Sequence, residues 1–182
     1  HAEGSAVVRR PGVDHQQLEE VFYADEGFLE VFNYETNPKV SASVLAEPGK
    51  ALIAQSTAQQ LFGEENPIGK TLEVDNDRQV TVEAIYPDQI RGNIQPELLV
   101  SLSTLPEQLH GFDRTSWGVS IGGVTYVRLS PGQNPAQYER SLAAFVDKYM
   151  NGEEEGFSNQ LELQPATSIH FDTRFDSYTS VA

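Results

Sequence analysis

ALIAQSTAQQLFGEENPIGKTL, residues 51 to 72, is the stretch on which the fold turns. Ala51-Leu52-Ile53-Ala54 is short, apolar and bounded by polar residues, as a buried strand would be. Ser56 followed by Gln59 has the spacing of a capping box, in which two side chains at a helix start satisfy each other's orphan backbone donors. Ala58, Leu61 and Phe62 then fall on one helical face. Gly63 stands where a left-handed residue ends a helix. Asn66-Pro67 marks a turn, and Thr71-Leu72-Glu73-Val74 alternates as a second strand.

The same stretch contains Gly63 and then Gly69-Lys70-Thr71, which invites comparison with the phosphate loop GxxxxGK[ST]. Spacing excludes it, because Glu64 to Ile68 puts one residue too many between the glycines. Pro67 lacks an N–H where a phosphate oxygen would need one, and Glu64 and Glu65 bring negative charge to the place of the anion. The order of elements is also reversed, since a phosphate loop runs from strand into helix. The stretch reads as a helix, a turn and a strand.

Composition sets the wider limits. The chain has 182 residues, 38% of them hydrophobic, with fourteen Gly and ten Pro, enough for one generous domain with many turns. Its formal charge is −15, and acidic residues outnumber basic ones in every third of the chain. Nucleic-acid binding needs a basic footprint, and an anionic membrane surface attracts one, so both classes are excluded. With no cysteine there is no disulfide framework and no thiolate chemistry. No apolar run approaches the roughly 20 residues of a membrane span. A chain starting at His1 without Met reads as a fragment of a longer protein.

Around the central stretch, Ala6 to Arg10 and Leu18 to Tyr23 read as strands, with Pro11-Gly12 a turn between them. Asp25 is positioned to cap a short helix carrying Phe28, Leu29 and Phe32 on one face, and Ser41 to Leu45 reads as a helical turn. Val80 to Tyr86 and Glu97 to Leu102 are strands, the first entered through the polar turn Asp75-Asn76-Asp77, and Ser103 is positioned to cap a helix over 104–110. The strongest helix is Pro135 to Met150, with Asn134 as its cap, Pro135 first and Gln137 completing the cap pattern. Its face is Tyr138, Leu142, Phe145, Val146 and Tyr149. Flanked by Val124 to Leu129 and Leu161 to Gln164, both strand-like, it has the form of a βαβ unit. The predicted class is α+β: a mixed two-lobed domain over 1–182, with βαβ-type units and a small β-rich lobe. One lobe comprises 1–44 with 106–182, and the inserted β-rich lobe is 45–105.

Residues that carry chemistry are sparse. None of His1, His15, His110 and His170 has metal-ligand spacing to a second His, and His170 with Asp172 makes a single pair on one side of a strand. Glu153-Glu154-Glu155 lacks the alternating ligands and central Gly of a calcium loop. Gly118-Val119-Ser120-Ile121-Gly122 fits the GxSxG pattern of a hydrolase elbow. Neither a convincing buried strand before it nor a long helix after it supplies the setting that pattern needs. Trp117 beside it reads as a core or lobe-contact aromatic. No catalytic, cofactor-binding or metal residue is assigned.

The motif Ala58-Gln-Gln-Leu61-Phe62-Gly63 followed by Glu64-Glu65-Asn66-Pro67-Ile68-Gly69-Lys70-Thr71-Leu72 resembles the MacB-like periplasmic core domain of FtsX-like ABC transporter permeases. Val80 to Ile85 stands at that family's next strand, with Ala84 where its relatives carry Gly. Three further segments are similar: Phe22 to Phe32, Tyr126 to Pro135 leading into the long helix, and Leu163-Gln164-Pro165-Ala166-Thr167-Ser168-Ile169-His170. The resemblance spans nearly the whole chain.

It implies an extracytoplasmic, periplasmic domain set between membrane helices of a permease. It implies no catalytic residue and no cofactor, with ATP hydrolysed by a separate ATPase subunit or domain reached through those helices. The domain would couple that hydrolysis to a periplasmic substrate or partner, in efflux, lipoprotein handling or mechanotransmission. A periplasmic adaptor or a peptide or lipoprotein substrate is the implied partner, and the full permease is expected to be dimeric. Two other readings stand beside it: a free-standing extracytoplasmic ligand-binding module, and a serine hydrolase using Ser120.

Overall fold

The computed structural model describes residues 2–13, 16–88, 95–109, 112–113, 124–150 and 160–166. They form two compact units, one built on a β-barrel and the other holding the long C-terminal helix and residues 160–166.

The barrel begins with a hairpin. Strands β1 (Ala2–Arg9) and β2 (Gln16–Ala24) pair antiparallel, and the chain leaves β1 through Pro11 and a left-handed Gly12 (φ 74°), with Val13 N–H donating to the Arg10 carbonyl at 3.2 Å. Pro fixes the first turn residue and Gly alone adopts the second without strain, so the dipeptide is a turn by construction. Next come helix α1 (Gly27–Phe32), a 3-10 turn at Ala42–Ala46, β3 (Lys50–Ala54), α2 (Gln55–Phe62), β4 (Thr71–Val74), β5 (Arg78–Tyr86) and β6 (Leu98–Ser101). The six strands close in the order β1-β2-β6-β3-β5-β4, the seam between β4 and β1 resting on Val8 opposite Val74 and Arg9 opposite Glu73. β2 runs parallel to β6 and β3 parallel to β5; the other pairs are antiparallel. Closure leaves no free edge to template pairing with another chain.

Two apolar layers result. Inside the barrel lie Val8, Val21, Ala51, Ile53, Leu72, Val74, Val80, Val82, Leu98 and Val100, joined by Ala58, Leu61 and Phe62 of α2. Outside, on the face shared by β2, β6, β3 and β5, lie Phe22, Leu52, Ala84, Tyr86 and Leu99 under Phe28 and Leu29 of α1 and Leu45 of the 3-10 turn. β3 and β6 contribute to both layers, which is why consecutive residues of each are buried, while β4 alternates. Each fully buried aliphatic side chain contributes roughly 1.5–3 kcal/mol.

β5 serves both layers by a different device. Its inward residues Val80 and Val82 pair in register with β3 up to Ala51 opposite Val82; then Leu52 lies opposite Ala84, leaving Glu83 as an extra residue. The bulge reverses the strand's facing, so Ala84 and Tyr86 join the outer layer although they keep the even spacing of Val80 and Val82. Ala84 is fully buried there, and its methyl group fills space that the glycine of the resembled family would leave open.

The α+β class stands, but the strands do not divide where the sequence placed the lobe boundary. β1 and β2 lie in the same barrel as β3 to β6, because β2 pairs with β6 from Val21–Leu98 to Ala24–Ser101. Pairing over such separations leaves no local pattern to read. The βαβ-type unit also differs from expectation. β3 and β5 are parallel neighbours joined by a crossover through α2 and β4, so the unit sits on the short helix. The runs 124–129 and 161–164 form no strand. Alternating burial at Val124 to Val127 specifies a half-exposed extended run, and becoming a strand needs a neighbouring ladder as well.

The helix expected over 104–110 is absent from its described part. A 3-10 turn, Leu102–Thr104, stops at Leu105, whose extended backbone (φ −72°, ψ 141°) is what a following Pro106 demands. A two-stranded ribbon follows, β7 (Gln108–Leu109) with β8 (Phe112–Asp113).

Helix α3 (Pro135–Tyr149) forms as predicted, with the Asn134 side chain accepting from Ala136 N–H at 3.0 Å. Of its expected face only Val146 is fully buried; Tyr138, Leu142 and Phe145 are half-buried and Tyr149 is 42% exposed. Within the same unit Glu139 accepts from the Leu163 N–H at 2.9 Å.

Candidate functional site

The segment from α2 to β4 is a turn held by its own hydrogen bonds and by β5. Gly63 is left-handed (φ 60°) and its N–H donates to the Gln59 carbonyl at 2.8 Å, closing the helix. Ile68 N–H donates to the Asn66 side chain at 3.1 Å, and Lys70 N–H donates to the Pro67 carbonyl at 2.9 Å. Gly69, at φ 76°, supplies the third position of that turn and donates its own N–H to the Val82 carbonyl at 2.8 Å. Five amides of the segment, those of Gly63, Glu65, Ile68, Gly69 and Lys70, are thus engaged within the protein, and Lys70 is exposed. The turn is bolted to β5 at Val82 and to β1 through Arg10, which bonds Glu65 at 2.9 Å and lies 5.1 Å from the centre of the Phe62 ring. Arg9 bonds Glu73 at 2.7 Å beside it.

The start of α2 is filled as well. Ser56 N–H and Ser56 Oγ both donate to Asp88 Oδ1, at 2.8 and 2.7 Å. The expected capping box of Ser56 with Gln59 is therefore replaced. The helix begins two residues earlier, after Ala54, and a carboxylate from beyond β5 takes the orphan donor and faces the positive helix end. At α1 the expectation is close: Asp25 accepts from Gly27 N–H at 3.0 Å.

Buried polar groups gather on the inward side of β2. Gln17, Glu19 and Tyr23 alternate with outward residues and share a face with Val21. Glu19 is 3% exposed, and among the described residues the buried Tyr23 hydroxyl and Gln17 Oε1 have no hydrogen-bond partner. Burial raises the Tyr23 hydroxyl above its ordinary pKa, with the Arg78 guanidinium acting against it. Burial, reinforced by a hydrogen bond to Glu97 and by its charge, pushes Glu19 up to about 8. In the outer layer Tyr34 and Tyr86 stack edge to face at 5.4 Å, and Tyr86 donates its hydroxyl hydrogen to the Pro96 carbonyl at 2.7 Å. Burial lifts both hydroxyls above the usual tyrosine range.

The Ser120 motif with Trp117, the pair His170 and Asp172, the run Glu153 to Glu155, and His1, His15 and His110 all lie outside the described residues. Among the described residues no group of three His, Cys, Asp or Glu could hold a metal ion. No described helix is long and apolar enough to cross a membrane. Asp88 and the Glu19–Glu97 pair escaped the sequence reading. Asp88 gave no local signal, being 32 residues from the helix it caps. Glu19 did give one, a charged residue at an inward position of an alternating strand.

The family model for MacB-like periplasmic core domains matches residues 2–145. Solved structures that share the fold include two periplasmic or permease domains. A domain of a protein described as a permease from Porphyromonas gingivalis is 21% identical with a TM-score of 0.67, over 93% of this chain and 75% of that one. The periplasmic region of MacB from Actinobacillus actinomycetemcomitans is 19% identical with a TM-score of 0.60, over 81% of this chain and 64% of that one. No curated protein matches the sequence.

Proposed function

The chain belongs to the MacB-like periplasmic core domain family, as the extracytoplasmic part of an ABC transporter permease, and on that footing we propose that it is a non-catalytic coupling domain. ATP is hydrolysed by an ATPase subunit or domain on the far side of the membrane. The domain passes the resulting motion to a periplasmic substrate or partner, as in efflux, lipoprotein handling or mechanotransmission.

The observation that carries this reading is the family match over 2–145. Two features support it. In the segment that resembles a nucleotide loop, the amides of Gly63, Glu65, Ile68, Gly69 and Lys70 are bonded within the protein, which favours a structural turn over a phosphate cradle. The barrel is closed and buried on two faces, which makes a stiff body suited to transmitting displacement. A periplasmic adaptor, or a peptide or lipoprotein cargo, is the partner chemistry that fits, and the permease acts as a dimer.

The test is made in the full-length permease. Residues 1–182 are replaced by a short flexible linker, and ATP hydrolysis is measured beside transport or partner activation. Retained hydrolysis with lost output is expected. Output that survives the replacement would sink the proposal, as would a full-length sequence with no membrane spans flanking this region.

A further inference from the structure

Glu19 is a buried acid that the architecture does not require. It faces inward on β2 opposite Ala6, two residues from Val21, where an aliphatic side chain would pack without desolvating a charge. Its carboxyl is hydrogen-bonded to that of Glu97. Two carboxyls share a hydrogen bond only while one of them keeps its proton, since an ionised carboxylate has nothing to donate. Glu97 in turn is held in place. Its Oε2 accepts from Glu20 N–H at 2.6 Å, its own N–H donates to the Glu20 carbonyl at 2.9 Å, and its carbonyl accepts from Ala54 N–H at 3.0 Å. It therefore stands where β2, β6 and β3 meet, next to the first rung of the parallel β2–β6 ladder, Val21 opposite Leu98.

The surroundings supply no compensating cation among the described residues. From β1, Ala6 is apolar and Ser5 donates to the Glu20 carboxylate at 3.2 Å, away from Glu19. From β5 the nearby titratable group is the Tyr86 hydroxyl, committed to Pro96, with Asp88 beyond it committed to Ser56. The Arg78 guanidinium, which acts on Tyr23 of the same face, is paired with Asp75 and Asp77 at 3.4 and 3.3 Å, and the charge that meets Glu19 is Glu97.

We propose that Glu19 and Glu97 form a proton-held latch on the β2–β6 seam, closed while Glu19 carries its proton and weakened when an alkaline medium removes it. The proposal does not depend on the coupling role. It assigns to this extracytoplasmic domain a response to the pH it faces. Loss of the proton would leave two carboxylates on one hydrogen-bond line, one of them buried, with repulsion directed across the seam. The folded chain keeps a proton that the unfolded chain releases near 4.5, so the latch contributes fully below that value. Its contribution declines as pH rises towards about 8 and is gone above it.

The test compares thermal melts of the 182-residue chain and its Glu19→Gln variant across that window. The amide introduced by Glu19→Gln donates to the Glu97 carboxylate at every pH. The parent is therefore expected to lose melting temperature between mildly acidic and mildly alkaline buffer, and the variant to lose much less. Parallel curves would overturn the latch. A second readout covers a variant that fails to fold: carboxyl carbon NMR of glutamate-labelled parent protein should show one resonance titrating near the value of Glu19. All glutamates titrating in the ordinary carboxylate range would overturn it. In Glu97→Gln that resonance should titrate at lower pH, and an unmoved midpoint would contradict the pairing.

Discussion

The two apolar layers of the barrel unit differ in what they admit. The outer layer is aromatic and aliphatic, and its one fully buried tyrosine, Tyr86, has its hydroxyl satisfied by the Pro96 carbonyl. The inner layer is aliphatic too, yet along β2 it takes in Gln17, Glu19 and Tyr23, of which two carry buried atoms unpartnered among the described residues. The outer layer satisfies the polar groups it takes in, as where Ser101 Oγ donates to the Leu45 carbonyl at 2.7 Å. A barrel interior of six strands has a fixed shape, and the strand that crosses it brings whatever its inward positions carry. Both layers contribute to stability, and the inner one also offers a place for protonation to act.

Deleting Glu83 attacks the device that separates the layers. Removing the extra residue would turn Ala84 and Tyr86 into the barrel and strand the Pro96 carbonyl. The loss should be on the order of the whole folding free energy, ~5–15 kcal/mol, seen as absence of a cooperative melt. Glu83→Ala keeps the bulge and removes only the ion pair with Lys50 (2.6 Å), so the cooperative melt should survive with little change in midpoint.

Leu98→Ala and Leu99→Ala probe the layers from adjacent positions of one strand, the first facing in and the second out. Each should cost ~2–5 kcal/mol by chemical denaturation, because both residues are fully buried. A cost at Leu99 well below that at Leu98 would demote the outer layer to a surface covering.

Tyr86→Phe should cost ~1–3 kcal/mol by leaving the Pro96 carbonyl unsatisfied. The tyrosines also give the outer layer its own pH response. Burial raises Tyr34 and Tyr86 above the ordinary tyrosine value of 10.0, so their contribution is complete below that value and is lost as pH climbs beyond it. Alkaline melts should show a fall there that Tyr86→Phe reduces. Asp88→Ala, which uncaps α2, should cost ~0.5–2 kcal/mol, with faster amide exchange at Ser56.

Much of this was legible in the chain. The turn at Pro11-Gly12, the stop at Gly63, the hairpin at Asp75-Asn76-Asp77 and the cap at Asn134 are local chemistry, and local chemistry is written in neighbouring residues. The resemblance carried by Ala58 to Leu72 gave the family. The barrel was not legible, because β2 meets β6 and β1 meets β4 across long separations, and alternation tells a strand which side to bury but not beside whom. The bulge was hidden for the same reason: Val80, Val82, Ala84 and Tyr86 have one unbroken period, and only the register with β3 shows that they serve different layers. Asp88 could not be found from a helix 32 residues away, whereas Glu19 could have been, as a charge on a core face.

The coupling role is tested most directly by heating the full-length permease carrying Leu99→Ala, with ATP hydrolysis and periplasmic output measured in parallel. Output should fail at the temperature where the barrel melts, lower than in the parent, while hydrolysis continues. Output that persists after the barrel has melted would contradict the account.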